Sequence, residues 1–224
     1  MTADFEQQRI KMVDGQLRTT DVTDIPILDA MSAVPREAFV PSVRRPLAYI
    51  DDDIEIAPAR DGRPARFLMK ASPFGRLLQL GAPRPGDRVL DVGCGTGYSS
   101  AVLSRVAGSV IALESDAMLA AEAAATLAAQ GCANVSVVEG PLPAGHAAKA
   151  PYNLIVVNGA IDFVPQALLD QLAEGGRLVA VIGRGNAGRA ELHLREGGLV
   201  SALRAFNAAV KPLSEFERVP EFEF

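Results

Sequence analysis

Apolar positions change their period along this chain, and the change divides it. Over residues 4–18, Phe5, Ile10, Val13 and Leu17 recur at near-helical spacing and predict an amphipathic helix. Asp24 is placed to cap a second helix with Pro26 in its first turn. That helix carries Ile27, Leu28, Met31 and Val34, and Pro35 stops it. Arg36–Pro41 follows as a short connector. Residues 46–58, with the run Asp51-Asp52-Asp53, read as a loop, and residues 58–66 as a polar turn. Phe67–Ser72 reads as a short strand, and Pro73–Leu80 as a helix ahead of Gly81. Beyond Pro83–Asp87 the alternation becomes regular. Val89–Val92, Ser109–Leu113, Val135–Val138, Leu154–Val157 and Arg177–Ile182 are short apolar runs that predict strands. Helices are expected over Tyr98–Arg105, over Asp116–Gln130 up to Gly131, and from Pro165 through Leu168, Leu169 and Leu172 to Gly175-Gly176. Glu191–Arg195, Gly197-Gly198 and the stretch from Leu199 predict a terminal hairpin.

Strands alternating with helices imply a parallel sheet covered on both faces, an α/β doubly wound, Rossmann-like fold. The terminal hairpin adds antiparallel edges. Residues 1–82 form an N-terminal helical extension and residues 83–224 the core, the two making one globular unit. No internal repeat is visible.

Composition narrows the function. The 224 residues suit one α/β domain with an extension, and 49% apolar residues supply a sizeable core. A net charge of −5, a pI of about 5.1 and the lack of a basic run argue against a nucleic-acid partner. No apolar run is long enough to span a membrane, and the polar, acidic opening is unlike a secretory signal. Cys94 and Cys132 are isolated, without the spacing of a zinc site or a disulfide, so a cytoplasmic location and no metal are expected. The three adjacent aspartates share no face of a regular element and read as a solvated loop.

The chemical signal lies in Val89-Leu-Asp-Val-Gly-Cys-Gly-Thr-Gly-Tyr98. A buried strand, a tight glycine turn and a helix start form a nucleotide-type pocket at a strand's carboxyl end. The dinucleotide fingerprint G-x-G-x-x-G needs its third glycine later than this. Glycines at 93, 95 and 97 fit the D/E-x-G-x-G-x-G loop of S-adenosylmethionine-binding class I methyltransferases better. Glu114 ends the next strand about 20 residues on, where a carboxylate accepts both ribose hydroxyls. The plainer alternative is a structural turn followed by a solvated acid. A nicotinamide oxidoreductase is a further alternative that the glycine spacing disfavours.

Several segments together resemble the protein-L-isoaspartate O-methyltransferases, up to about residue 185. Met12-Val-Asp-Gly-Gln-Leu-Arg18 is similar to the family's opening helix, and Leu28-Asp-Ala-Met-Ser-Ala-Val-Pro-Arg-Glu-Ala-Phe-Val-Pro41 to its second helix and connector. Leu47-Ala-Tyr-Ile-Asp51, Pro85–Tyr98, and Pro165 with Leu168, Gln171-Leu172, Gly175–Val179 and Gly183 continue the match. The run Val34-Pro-Arg-Glu-Ala-Phe-Val-Pro41 is the part most particular to this family. The resemblance implies methyl transfer from S-adenosylmethionine to the side-chain carboxylate of an isoaspartyl residue in a protein or peptide, the start of protein repair. It implies that Asp91, Gly93, Cys94, Gly95 and Thr96 border the methionine part and that Glu114 holds the ribose. Gly140 and Pro141 then border adenine, and Ala71 and Ser72 the transferring methyl. A carboxylate is already ionised at neutral pH, so no general base is needed and positioning dominates. His146 and His193 are accordingly given ordinary structural or exposed roles.

Three departures mark a divergent member. Met69 and Ala71 stand where the family carries the hydroxyls of a Thr-x-Ser-x-Pro run. Ser72 is adjacent, but neighbours in an extended segment point opposite ways. Gly140-Pro141-Leu142 replaces Gly-Asp-Gly, removing a hydrogen bond to adenine worth about 0.5–1.5 kcal/mol. Asn153 replaces an aspartate. The expectation is retained cofactor binding with isoaspartyl activity weakened, lost or redirected. The alternative is a family member that acts as a cofactor-binding or partner-binding protein. Arg60, Arg63 and Arg66 read as solvated rather than as facing an anionic substrate.

Overall fold

Asp4 and Asp24 start the first two helices with their own side chains. The computed structural model describes residues 4–218. Helix α1 (Phe5–Met12) begins where Asp4 accepts from the Gln7 backbone N–H, 3.0 Å away. It does not run on regularly to residue 18. Val13–Leu17 is a π turn, in which the Arg18 N–H reaches the Val13 carbonyl. The wider turn accommodates an imperfect period and buries both Val13 and Leu17. Helix α2 (Ile25–Ala33) has Asp24 accepting from Ile27 N–H and Pro26 in its first turn, and it ends before Pro35 as expected.

The loop expected over residues 46–58 contains a strand. β1 (Ile54–Ala57) pairs antiparallel with β2 (Arg66–Leu68). Its two inward isoleucines are buried, but so short an alternation beside three aspartates gave no clear period. Arg60 and Arg63 exchange backbone hydrogen bonds, so residues 58–65 form an ordered hairpin tip. The strand expected over Phe67–Ser72 is correspondingly shorter. Ala71 and Ser72 lie in the first turn of α3 (Ala71–Gly81), where Pro73 is tolerated because first-turn N–H groups have no intrahelical partner.

The core is a seven-stranded sheet. Its strands are β3 (Arg88–Val92), β4 (Ser109–Glu114), β5 (Val135–Glu139), β6 (Tyr152–Ile161), β7 (Leu172–Ile182), β8 (Arg189–Glu196) and β9 (Leu199–Asn207). They lie in the order β5-β4-β3-β6-β7-β8-β9. β3 to β7 are parallel, and β8 and β9 form the antiparallel hairpin. This is the doubly wound α/β sheet read from the sequence. Helices α4 (Tyr98–Leu103), α5 (Ala117–Ala129) and α6 (Gln166–Leu169) fill the connections. α6 is a single turn. Leu172, expected to end that helix, instead opens β7.

The chain leaves β3 towards β4 and β5, then returns to β3's other side as β6. The crevice of such a sheet opens at this reversal, beyond the carboxyl ends of the strands. The glycine turn after β3 is therefore placed in it. Among the described residues no helix is long and apolar enough to cross a membrane, and no cluster of His, Cys, Asp and Glu side chains is arranged to hold a metal.

Candidate functional site

The turn after β3 is held by its neighbours. Gly93, Gly95 and Gly97 all have positive φ, at 74°, 57° and 96°, a conformation that side-chain-bearing residues resist. The Gly93 and Cys94 N–H groups both donate to the Leu113 carbonyl at the end of β4, at 2.9 and 3.2 Å. Asp91, fully buried at the end of β3, accepts from the Ser99 and Ser100 hydroxyls at 2.6 and 2.5 Å and from the Asn158 amide. Burial pushes the Asp91 carboxyl pKa up, against the opposing pull of these bonds. The Thr96 hydroxyl donates to the Phe39 carbonyl, tying the turn to the N-terminal segment.

Glu114 is 0% exposed, so the reading of it as a solvated acid fails. Arg60 and Arg66 are not simply solvated either, whereas Arg63 is largely exposed. Arg66 forms a bidentate pair with Glu114: Nη1 to Oε1 is 2.6 Å and Nη2 to Oε2 is 2.9 Å. Burial acts to lower the Arg66 pKa, but the Glu114 charge outweighs it and the net shift is upward. Glu114 also accepts from the backbone N–H groups of Gly95 (2.8 Å), Ser115 (2.9 Å) and Asp116 (3.1 Å). Arg60 donates to both oxygens of Asp116 at 2.7 and 2.6 Å, and Arg63 lies 3.5 Å from the same group.

Apolar side chains close the turn from the same side. A Cβ placed on Gly95 would lie 2.6 Å from Ile56 Cδ1, and one on Gly93 would lie 3.1 Å from Leu213 Cδ1. The cavity left at the turn is about 20 Å³ and is lined by Ile56, Phe67, Met69, Cys94, Gly95 and Asn158, among others. Beyond the hairpin lies a larger cavity of about 500 Å³, bordered by Arg60, Arg63, Arg66, Ser115, Gly140 and Pro141, among others.

The structure thus brings Asp91, Gly93, Cys94, Gly95, Thr96 and Glu114 together, with Gly140 and Pro141 beside them on the larger cavity. The Gly140 N–H donates to the Glu114 carbonyl at 3.0 Å. Leu142 turns into the core. Asn153 accepts from the Arg88 N–H at 2.9 Å, a role its amide oxygen fills well. Ala71 and Ser72 are not at the turn's cavity. Ala71 is buried, and the Ser72 hydroxyl donates to Thr20 Oγ1 at 2.9 Å. Met69 lines the cavity instead. Sequence reading missed Ile56, Asn158 and Leu213, and it read Arg66 as solvated where it pairs with Glu114. Asn158 carried a usable signal: a polar residue just past the apolar run Leu154–Val157, level with the turn.

A family model for protein-L-isoaspartate(D-aspartate) O-methyltransferase matches residues 7–213. The chain belongs to this family. It is 38% identical over 179 residues to the protein-L-isoaspartate O-methyltransferase of Koribacter versatilis, covering 80% of this chain and 78% of that one. It is 40% identical over 179 residues to protein-L-isoaspartate O-methyltransferase 1 of Rhodopseudomonas palustris, covering 80% and 71%. A solved protein-L-isoaspartate O-methyltransferase superposes with a TM-score of 0.78 at 26% identity, over 92% of this chain and 65% of that longer one. A beta-aspartate methyltransferase from Plasmodium falciparum, solved with S-adenosyl-L-homocysteine, gives a TM-score of 0.76 over 92% of this chain and 98% of that one, and at 18% identity it shares the fold. The fold is that of the class I methyltransferases.

The donor set suits S-adenosylmethionine: a turn of three glycines at positive φ, and a buried carboxylate at the next strand tip. The conformation does not. Both Glu114 oxygens are taken, and about 20 Å³ holds roughly one water, not an amino acid. As folded here, Ile56 and Leu213 cover the glycines of the turn and Arg66 occupies Glu114.

Proposed function

We propose that this chain is an S-adenosylmethionine-dependent O-methyltransferase acting on the side-chain carboxylate of isoaspartyl residues in proteins or peptides, as a protein-repair enzyme of the cytoplasm. The observation that carries this reading is the family match across residues 7–213. The retained glycine turn and buried Glu114 support it. In this reading Asp91, Gly93, Cys94, Gly95 and Thr96 border the amino-acid end of the cofactor, Glu114 the ribose, and Gly140 and Pro141 the adenine. When bound, the cofactor supplies the methyl group.

The protein's share of the work is positional. The acceptor carboxylate is ionised at neutral pH and attacks without a base, so alignment and exclusion of water are what the fold must contribute. Met69, which stands where the family carries a hydroxyl, lines the turn's cavity together with Asn158. With fewer hydroxyls, acceptor binding rests more on shape.

The test is transfer of labelled methyl groups from S-adenosylmethionine to an isoaspartyl peptide, scored as base-labile ester, with the aspartyl isomer as control. Label in the first peptide and not the second is the expected result. Cofactor binding with no label in either peptide would overturn the acceptor assignment.

A further inference from the structure

The hairpin β1–β2 does something that a bare cofactor pocket does not require. A carboxylate offers about four acceptor sites, and Glu114 already serves five close donors, two of them from Arg66 and three from the backbone of Gly95, Ser115 and Asp116. It has no capacity left for ribose hydroxyls while Arg66 is in place. Ile56, on the paired strand of the same hairpin, lies on the open face of Gly95. One element therefore blocks two successive parts of the site.

The attachments of this element are graded. At its base, a single guanidinium gathers both ends: Arg36 donates to the Ala48 carbonyl at 2.8 Å and to the Met69 carbonyl at 2.7 Å. The Lys70 N–H adds a bond to Asp53 Oδ1 at 2.9 Å. At its tip the hold is through Arg60, 29% exposed, and Arg63, 61% exposed, both on Asp116. Both pairs are more open to water, and so more screened, than Arg66–Glu114, whose side chains are 11% and 0% exposed. The base is a hinge and the tip a clasp.

We infer that the hairpin Ile54–Leu68 is a strap that occupies the methionine and ribose positions of the empty enzyme, with Arg66 standing in for the ribose on Glu114, and that it lifts from the tip before cofactor enters. This inference rests on the cofactor reading above for what enters, but not for the strap itself. Cofactor affinity is lowered by the fraction of molecules with the strap down. Loosening the clasp raises it.

Cys94 reports the strap directly. It lies in the turn beneath the hairpin, 4% exposed. Burial, with Asp91 and Glu114 nearby, pushes its thiol well above the ordinary range and keeps it slow to react while covered. The experiment measures iodoacetamide labelling of Cys94 in a Cys132→Ser background, and calorimetric binding of S-adenosylhomocysteine, in three proteins. These are the parent, Arg60→Ala at the clasp, and Arg66→Gln. Arg60→Ala alters a partly exposed tip residue and guards against the case in which Arg66→Gln fails to fold. The strap predicts labelling at least five-fold faster in both variants, and at least five-fold tighter binding in Arg60→Ala. Unchanged labelling in Arg60→Ala and in folded Arg66→Gln overturns the strap, whatever the binding. Weaker binding in Arg60→Ala also overturns it, since the arginine would then hold ligand rather than bar it. Faster labelling with no binding in any protein sustains the strap and overturns the cofactor reading.

Discussion

Ile56 Cδ1 lies 2.6 Å from the place where a Cβ on Gly95 would stand, so the side chain rests on the bare backbone of the glycine turn. Gly95 also has a φ of 57°. Gly95→Ala therefore carries two penalties, about 1–2 kcal/mol for the left-handed backbone and a further cost for displacing Ile56. The urea midpoint should fall accordingly. In an Ile56→Ala background the second cost disappears, so the two changes should be less than additive by about 1 kcal/mol. Strict additivity would show that the contact does not form in solution.

Asp91 is the polar centre of the turn's underside. Its carboxylate takes the Ser99 and Ser100 hydroxyls and the Asn158 amide without any exposure to water. A hydrogen bond to a charged group is worth about 1.5–3 kcal/mol. Ser100→Ala is expected to lower stability by that amount, and Asn158→Leu by at least as much, because the amide also reaches the Val92 carbonyl at 3.4 Å. Equilibrium unfolding at neutral pH measures both. A loss under 0.5 kcal/mol would argue that water replaces the hydroxyl, by the same scale of values.

Arg36 is buried at 1% exposure, with its guanidinium carbon 4.8 Å from the centre of the Tyr98 ring. It satisfies the carbonyls of Ala48 and Met69 at once. Arg36→Lys keeps the charge but loses the planar fork that spans two acceptors. Each stranded carbonyl costs about 1–3 kcal/mol. The expected result is a large drop in melting temperature together with faster proteolysis within residues 54–68. A lysine variant of near-parent stability, with the hairpin still resistant, would remove Arg36 from the hinge.

The sheet was legible because its signals are local. Val89–Val92, Val135–Val138 and Leu154–Val157 are apolar runs bounded by turn residues, and Asp24 is a cap one can read from order alone. The glycine turn and Glu114 were legible for the same reason. The hairpin was not. Ile54 and Ile56 are the two buried isoleucines of a four-residue strand, too few to show a period, and the meaning of Arg66 depends on Glu114, 48 residues away. A long-range ion pair leaves no mark in the spacing of either partner. The strand expected over Phe67–Ser72 stops short for a related reason: the segment suits either an extended run or a helix start, and Ser72 lies in the first turn of α3, bonded to Thr20, 52 residues earlier.

His193 gives the clearest dependence on pH. It lies on β8, buried at 9% exposure, with Nε2 lacking a hydrogen-bond partner among the described residues and 3.5 Å from Glu191 Oε2. Burial lowers its pKa, and the Glu191 charge opposes this without cancelling it. The ordinary value is about 6.5, so as pH falls the unfolded chain takes up its proton first. Over that window the unfolded state binds more protons, and stability must drop with falling pH. The drop begins near pH 6.5 and levels off once the folded-state pKa is passed. His193→Gln removes the titration while keeping a polar side chain. Its urea midpoint should therefore change less between pH 7.5 and 5.5 than the parent's. Equal slopes in the two proteins would mean that His193 is solvated in the folded protein.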